Sequence, residues 1–384
     1  MAEKYIYLDH AAATPLDERV LVAMQPYFSE SFFNPSSPYI PAKQTRTAYD
    51  EAKNKLANLI GAKADEIVIT AGATESINLA FHGVSGHVVV PTIEHDAVLA
   101  SAKLHKHTIV MPDKKGIVSA EAIAQAIQPN TELVSVSLAN NELGTIQPLR
   151  EIAEVIKTER ETRLSKNNKS PIYLHSDASQ GAGQLDLSVS RLGVDMLTLN
   201  SAKMYGPKQV GLLWSNRYAR LQPLIVGGGQ ERGLRSGTEN VAGTVGFAKA
   251  LEIASEHRKE ESTRLAKLRD SLQKTLIEAF PGAMLSGHLK HRLSGHLHIS
   301  FPGLDGERLV FLLDSRSVLL ATGSACAANK GIRSHVLEAI GLKPEIADGS
   351  LRITLGRLSG EDNIKQAGEI IIEEVKKEYA RVSK

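Results

Sequence analysis

The sequence predicts an α/β protein, with a large domain on a mostly parallel, mixed sheet followed by a smaller α+β domain. Two observations carry this. Short apolar runs alternate with longer segments of helical period through the first two-thirds of the 384 residues, and the texture changes after about Gly246. Strands that alternate with helices form βαβ units, whose parallel sheet is covered on both faces. A composition of 42% apolar and 23% charged residues excludes disordered and fibrous classes. The length suggests about two or three domains.

In chain order, the apolar runs that read as strands begin with Ile67–Thr70, His87–Val90, Thr108–Met111 and Leu133–Leu138. Ile172–His175, Met196–Leu199 and Gly211–Trp214 continue the series. Most are separated by helical stretches. One runs from Arg46 to Ile60, with Ala48, Ala52, Leu56, Leu59 and Ile60 on one face and Gly61 as its stop. Next comes a charge-rich helical segment from Phe247 to about Phe280, a candidate link between domains. A strand (Leu297–Phe301), a helix (Glu307–Asp314), a small-residue loop (Thr322–Gly331), a strand (Leu351–Leu355) and a helix from Glu361 follow.

The 45 basic and 43 acidic residues nearly cancel, whereas nucleic-acid binders show a clear basic excess. A single cysteine allows neither an internal disulfide nor a multi-cysteine zinc site, and fits a reducing compartment. Charges interrupt the first residues before a signal-peptide stretch forms, and no run approaches the roughly 18 apolar residues of a membrane span. The expectation is a soluble, cytoplasmic protein with no direct nucleic-acid or membrane partner.

Three places carry candidate chemistry. Ala71-Gly72-Ala73-Thr74-Glu75 follows a strand and opens a helix, which suits either an anion or a plain threonine-capped turn. Asp177 ends one strand, at the edge where open α/β sheets bind ligands, and Lys203 follows the end of another. Pyridoxal phosphate chemistry needs such a pair, because the lysine amine forms a Schiff base while a carboxylate keeps the pyridine nitrogen protonated. Individually, Lys203 also reads as a surface lysine and Asp177 as a helix cap.

Ten motifs, in order, settle between these readings. They are Tyr7-Leu8-Asp9-His10-Ala11-Ala12-Ala13-Thr14-Pro15, Asn34-Pro35-Ser36-Ser37, Gly72-Ala73-Thr74-Glu75-Ser76, Glu94-His95 and Asn140-Asn141-Glu142-Leu143-Gly144. Asp177-Ala178-Ser179-Gln180, Lys203-Met204-Tyr205-Gly206-Pro207-Lys208, Arg235-Ser236-Gly237-Thr238, Gly323-Ser324-Ala325-Cys326 and the run from Leu351 to Arg357 complete the set. With their spacing, they resemble the motifs of cysteine desulfurases, class-V members of the fold-type-I pyridoxal phosphate transferases. The resemblance covers nearly the whole chain. It implies a large cofactor-binding domain over residues 14–256, and a small domain of residues 1–13 and 257–384 that carries a catalytic cysteine loop.

The resemblance also implies roles. Lys203 would hold the cofactor and shuttle protons, Asp177 would pair with the pyridine nitrogen, and Gln180 and Asn141 would hydrogen-bond around the ring hydroxyl. His95 would stack on the ring and act as an acid/base. Ala73 and Thr74 would bind phosphate, with Thr238 reaching the phosphate of the neighbouring subunit in a homodimer. Arg352 would clamp the substrate carboxylate, a geometry that guanidinium suits, with Asn34 and Asn141 near the same pocket. Many relatives carry a histidine before the Schiff-base lysine, where it helps hold the phosphate. This chain has Ala202, with Asn200 and Ser201 as the substitutes.

Cys326 separates a desulfurase from its aminotransferase cousins. A lone cysteine is usually a small buried hydrophobe, but Thr322, Gly323, Ser324, Ala325, Ala327, Ala328 and Asn329 surround it with a flexible polar stretch. The thiolate is a strong nucleophile even as a minor species. The expected reaction converts L-cysteine to L-alanine with a persulfide on Cys326. Its sulfur would pass to an acceptor for iron–sulfur cluster assembly or tRNA thiolation. Selenocysteine lyase or another class-V activity is the alternative among enzymes; a degenerate, cofactor-poor binding subunit, supported only by Ala202, is the alternative outside them. His288, His291, His296 and His298 could suggest a metal, but the strand alternation of the last two reads as the polar face of a small-domain strand, and no metal is expected.

Overall fold

The computed structural model describes residues 5–323 and 333–383. Twelve strands are found among them: β1 (Ile6–Tyr7), β2 (Ile67–Thr70), β3 (His87–Pro91), β4 (His107–Val110), β5 (Thr131–Ser135), β6 (Tyr173–Asp177), β7 (Met196–Asn200), β8 (Gly211–Ser215), β9 (Met284–Leu285), β10 (His296–Ser300), β11 (Val318–Leu319) and β12 (Ser350–Thr354). Seven of them form one sheet in the order β2-β8-β7-β6-β5-β3-β4. All neighbours in it are parallel except β8, which runs antiparallel to both β2 and β7. Helices cover both faces, which is why β2, β3 and β8 are buried along their whole length and read as continuous apolar runs.

The helix expected at 46–60 begins earlier, at Ile40, with Pro41 in its first turn. Its inner face buries Tyr49, Ala52, Leu56 and Ile60, and Gly61 ends it in the left-handed region at φ 70°. A residue with a Cβ is strained there, so glycine makes a natural stop. That face packs on the helix Val241–Glu256.

The continuous helix expected from Phe247 to Phe280 is instead two, Val241–Glu256 and Arg258–Ala279, separated at His257. The reason lies in what each half buries. Phe247, Leu251 and Ile253 belong to the core under the large sheet. Leu265, Leu268, Leu272 and Leu276 belong to a second core, with Leu297, Ile299, Ile353 and Ile371. The second core lies against the antiparallel sheet β12-β10-β9 and also takes in Ile6 and Leu8. The N-terminal segment joins it because β1 pairs in parallel with β11, Ile6 opposite Val318 and Tyr7 opposite Leu319. Val336, Leu337, Ile340 and Ala347, late in the chain, pack instead into the large core.

Because β2, β3, β5, β6 and β7 share one direction, their C-terminal ends lie along one edge of the sheet. Thr70, Pro91, Ser135, Asp177 and Asn200 end these strands, and the turns that follow carry the polar residues of the candidate site.

Candidate active site

One cavity of about 240 Å³ opens at that edge. Its lining includes Ala73, Thr74, His95, Asn141, Asp177, Gln180, Asn200, Lys203 and Arg352. Nine sequence-predicted residues, scattered over 280 positions, thus meet at one place.

At one end the helix Ala73–His82 starts from Gly72, whose φ of 135° suits glycine. The first-turn N–H groups of a helix have no intrahelical acceptors, and its dipole is positive there. Glu75 accepts from the Ala71 N–H (2.8 Å) and from Arg235 Nε (3.0 Å), which ties this helix start to the 217–240 connection. Behind it, Gly211 lies so close that an added Cβ would come within 2.7 Å of the Gly72 carbonyl carbon.

At the end of β6, Asp177 lines the cavity and accepts from the Ser179 N–H at 2.9 Å. Two residues back, His175 is buried between Ser135 Oγ (2.8 Å) and Thr198 Oγ1 (3.0 Å). Burial brings its pKa down to about 4, outweighing the attraction of Asp177. At neutral pH His175 is therefore uncharged, and it leaves the negative charge of Asp177 available to a partner in the cavity.

Lys203 follows β7, and its Nζ donates to the backbone oxygens of Ala11 (2.8 Å) and Ala12 (2.6 Å). Gln180 Nε2 also donates to Ala11 O, at 3.0 Å. His95 caps the helix Asp96–Ala102: its Nδ1 accepts from the Ala97 N–H at 3.1 Å. That bond requires the proton on Nε2 and leaves the ring exposed along the cavity wall.

Arg352, on β12, is 2% exposed yet lines the same cavity. Its Nη2 donates to Asp9 Oδ1 at 2.8 Å and its Nη1 to Asn141 O at 3.3 Å, while its buried Nε has no partner among the described residues.

Several lining residues were assigned no role by the sequence, even where they fall inside its motifs. Ser137 donates through its N–H to Glu94 Oε1 (2.8 Å) and through its hydroxyl to Glu94 Oε2. Burial raises the Glu94 carboxyl to a pKa of about 7, against the pull of these bonds. Ala11, Ala12, Ile77, Ala139 and Ser179 complete the lining. Only contact across the fold identifies them.

Two expectations are corrected, for Ser201 and Asn34, whereas Thr238 stands apart from this chain's cavity as expected of a residue that serves a neighbouring subunit. Ser201 does not reach the cavity: its buried hydroxyl faces Gly206, whose added Cβ would lie 2.0 Å away. Of the two substitutes for the missing histidine, only Asn200 lines the site, and its Oδ1 also accepts from Ala202 N at 3.2 Å. Asn34 is exposed and absent from the lining; its Oδ1 accepts from Ser36 N at 2.9 Å in a tight turn. Thr238 is likewise exposed and outside this chain's cavity. Cys326 lies outside the described residues.

The histidines divide. His288 and His291 sit ring to ring at 4.7 Å near the surface. His296 and His298 do not form a polar, solvent-facing strand surface, because they are 3% and 1% exposed and lie opposite Thr354 and Arg352. As the central strand of its sheet, β10 turns this face inward, and burial lowers both pKa values to about 3. Among the described residues no group of three His, Cys, Asp or Glu side chains could hold a metal ion.

The cavity therefore presents an anion-binding helix start, a carboxylate beside an uncharged histidine, a lysine amine and a buried guanidinium. This donor set fits pyridoxal 5′-phosphate. The helix start meets the phosphate, the carboxylate meets the pyridine nitrogen, and the amine meets the aldehyde.

Comparison with known proteins agrees. The family described as aminotransferase class-V matches residues 6–366. Cysteine desulfurase IscS 1 of Archaeoglobus fulgidus is 42% identical over 377 residues, covering 95% of both chains. Cysteine desulfurase IscS of Dictyoglomus turgidum is 38% identical, covering 96% of this chain and 94% of its own. Among solved structures, a NifS-like protein superposes with a TM-score of 0.88 at 34% identity, covering 97% of this chain and all of that one. A structure titled SspA in complex with cysteine superposes with a TM-score of 0.75 at 35% identity, covering 91% of this chain and 98% of its own.

Proposed function

This chain belongs to the aminotransferase class-V family and is a pyridoxal 5′-phosphate-dependent cysteine desulfurase; on that premise we propose that Arg352 binds the L-cysteine carboxylate, Lys203 moves its protons and Cys326 takes its sulfur. The observation that carries this reading is the meeting of Lys203, Asp177, Arg352 and the helix start at Ala73 on one cavity. A relative solved in complex with cysteine supports the substrate.

When bound, the cofactor supplies a ring that draws electron density from the substrate Cα. Asp177 would hold the proton on the ring nitrogen that makes this possible. The N–H groups of Ala73 and Thr74 would bind the phosphate, with Asn200 lining the same cavity. Gln180 and Asn141 would hydrogen-bond around the ring hydroxyl, and His95 would lie against the ring. Arg352 orients the substrate by its carboxylate, and Lys203 Nζ takes the α proton.

The sulfur step balances without an added oxidant. The Cys326 thiolate attacks the substrate sulfur, the Cβ–S bond breaks, and a new S–S bond forms. Protons return to Cβ and Cα, giving L-alanine and a persulfide on Cys326. The substrate carbon is reduced and the enzyme thiol is oxidised.

The same reading extends to partners. The persulfide sulfur would pass to an acceptor protein serving iron–sulfur cluster assembly or tRNA thiolation, in a reducing, cytoplasmic setting that keeps Cys326 a thiol. Two chains would pair, with Thr238 of each completing the other's phosphate site. The exposure of Thr238 and of the nearby apolar Leu224, Ile225 and Val226 supports this. Sedimentation at the mass of one chain would remove the homodimer.

Cys326→Ser tests the core of the proposal. The variant should stay yellow and shift its absorbance when L-cysteine is added, yet release essentially no alanine. Wild-type protein treated with L-cysteine should gain one reducible sulfur on Cys326 by mass spectrometry. Near-normal alanine release from the serine variant would overturn the assignment.

A further inference from the structure

The segment from Asp9 to Ala13 touches both cations of the site from outside the cavity lining at one end and within it at the other. Asp9 Oδ1 accepts from Arg352 Nη2 at 2.8 Å, but Asp9 does not line the cavity. Two and three residues later, the oxygens of Ala11 and Ala12 accept from Lys203 Nζ. Between them His10 Nδ1 donates to Thr354 O (3.0 Å), and Ala11 N donates to Thr354 Oγ1 (3.0 Å), two residues from Arg352 on β12. The Tyr7 hydroxyl reaches Asp9 O (2.9 Å) and Ala13 O (2.8 Å), spanning the segment like a staple.

Arg352 needs such support. Its side chain is 2% exposed and its remaining described contacts are a long bond to Asn141 O and none at Nε. Glu142 approaches the same region, but its Oε1 is unpartnered among the described residues and 3.8 Å from His298 Nε2, beside Arg352 on the facing strand. Asp9 is therefore the carboxylate in hydrogen-bond contact with the guanidinium. A buried guanidinium that lost it would have a strong incentive to turn towards other acceptors or water.

We propose that Asp9 is a positioning residue for substrate recognition: it holds the Arg352 guanidinium so that its remaining donors face the α-carboxylate of the amino acid, at a fixed setting from Lys203. The inference rests on the reading of Arg352 as the carboxylate clamp. It makes carboxylate selectivity a property of the N-terminal segment as well as of the cavity wall.

The test compares binding of L-cysteine and L-cysteine methyl ester to the cofactor-bound enzyme, read from cofactor absorbance, in wild type, Asp9→Asn, Asp9→Glu and Arg352→Gln. Wild type should prefer the free acid. Asp9→Asn should weaken L-cysteine about tenfold, the order expected when a charge-assisted hydrogen bond is lost, and leave the ester nearly unchanged. In turnover, KM should rise more than kcat falls. Asp9→Glu, which keeps the charge, should recover part of the preference and gives the same comparison if the asparagine variant does not fold. Equal weakening of both ligands would make Asp9 merely structural and overturn the inference. An unchanged acid preference in Arg352→Gln would overturn the clamp itself, whereas its loss there together with its persistence in both Asp9 variants would overturn only the role of Asp9.

Discussion

Gly211→Ala should loosen the cofactor without touching it. Gly211 begins β8 opposite Thr70, the last residue of β2, so it backs directly onto the turn that starts the helix at Ala73. A Cβ there would stand 2.7 Å from the Gly72 carbonyl carbon, 2.8 Å from its Cα and 2.9 Å from Leu199 O. All three are backbone atoms, so no rotamer change relieves the contact. To restore an ordinary separation of 3.4 Å, the backbone must open by about 0.7 Å. Overpacking of this kind costs about 1–3 kcal/mol of stability. The displaced element carries the phosphate-binding N–H groups, and losing one hydrogen bond to a charged group costs about 2 kcal/mol, or some thirtyfold in Kd. Titration of the cofactor-free variant with pyridoxal phosphate, followed by absorbance, reads the affinity, and a thermal melt reports folding. A folded variant whose Kd stays within about twofold of wild type would refute the link from β8 to the phosphate end.

Lys203→Ala should abolish covalent attachment of the cofactor; an adduct on a different lysine after borohydride reduction of wild type would reassign the amine. Ala202→His should tighten cofactor binding by about 1.5–3 kcal/mol if the imidazole reaches the phosphate, while unchanged affinity in titration would mean that Asn200 already serves there. For pH, His10 and His175 have native pKa values near 4, and His296 and His298 near 3, all lowered mainly by burial. Their unfolded values lie near 6.5. Below that value the unfolded chain binds more protons than the native one, so stability should fall progressively from pH 6.5 towards 4. Buried Glu94, raised to about 7, and Glu142 and Asp9, also raised, act in the opposite direction. The check is therefore the difference between wild type and a His296→Gln/His298→Gln variant. Denaturant midpoints with the same pH dependence in both between pH 7 and pH 5 would show that these two rings are hydrated or paired in solution.

Much of the site was legible in the sequence because its chemistry sits at the ends of strands. A strand announces itself through near neighbours, and the residue after it inherits a place on the sheet edge; Ala73, Asp177 and Lys203 were found in this way. Arg352 needed its resemblance to a family, since an arginine inside an apolar strand has no local mark of function. Ser137 carried no local signal, and Glu94 and Asp9, although inside recognisable motifs, had no role assigned, because each acts through a residue far away in the chain.

By itself the sequence determined the alternation of strands and helices, the αβ class and the types of residue offered at each strand end, all properties of periods spanning a few residues. Tertiary structure alone decided which of these residues meet. It broke the long helix at His257, where one half turns to the first core and the other to the second. It drew Ile6 and Leu8 into the second core through a two-residue pairing too short to read locally, a placement that only the family resemblance had implied. It also buried His296 and His298, since alternation alone could not say that neither side of β10 faces water. The physical reason is common to all three: periodicity records that a face exists, whereas burial depends on what the rest of the chain packs against that face.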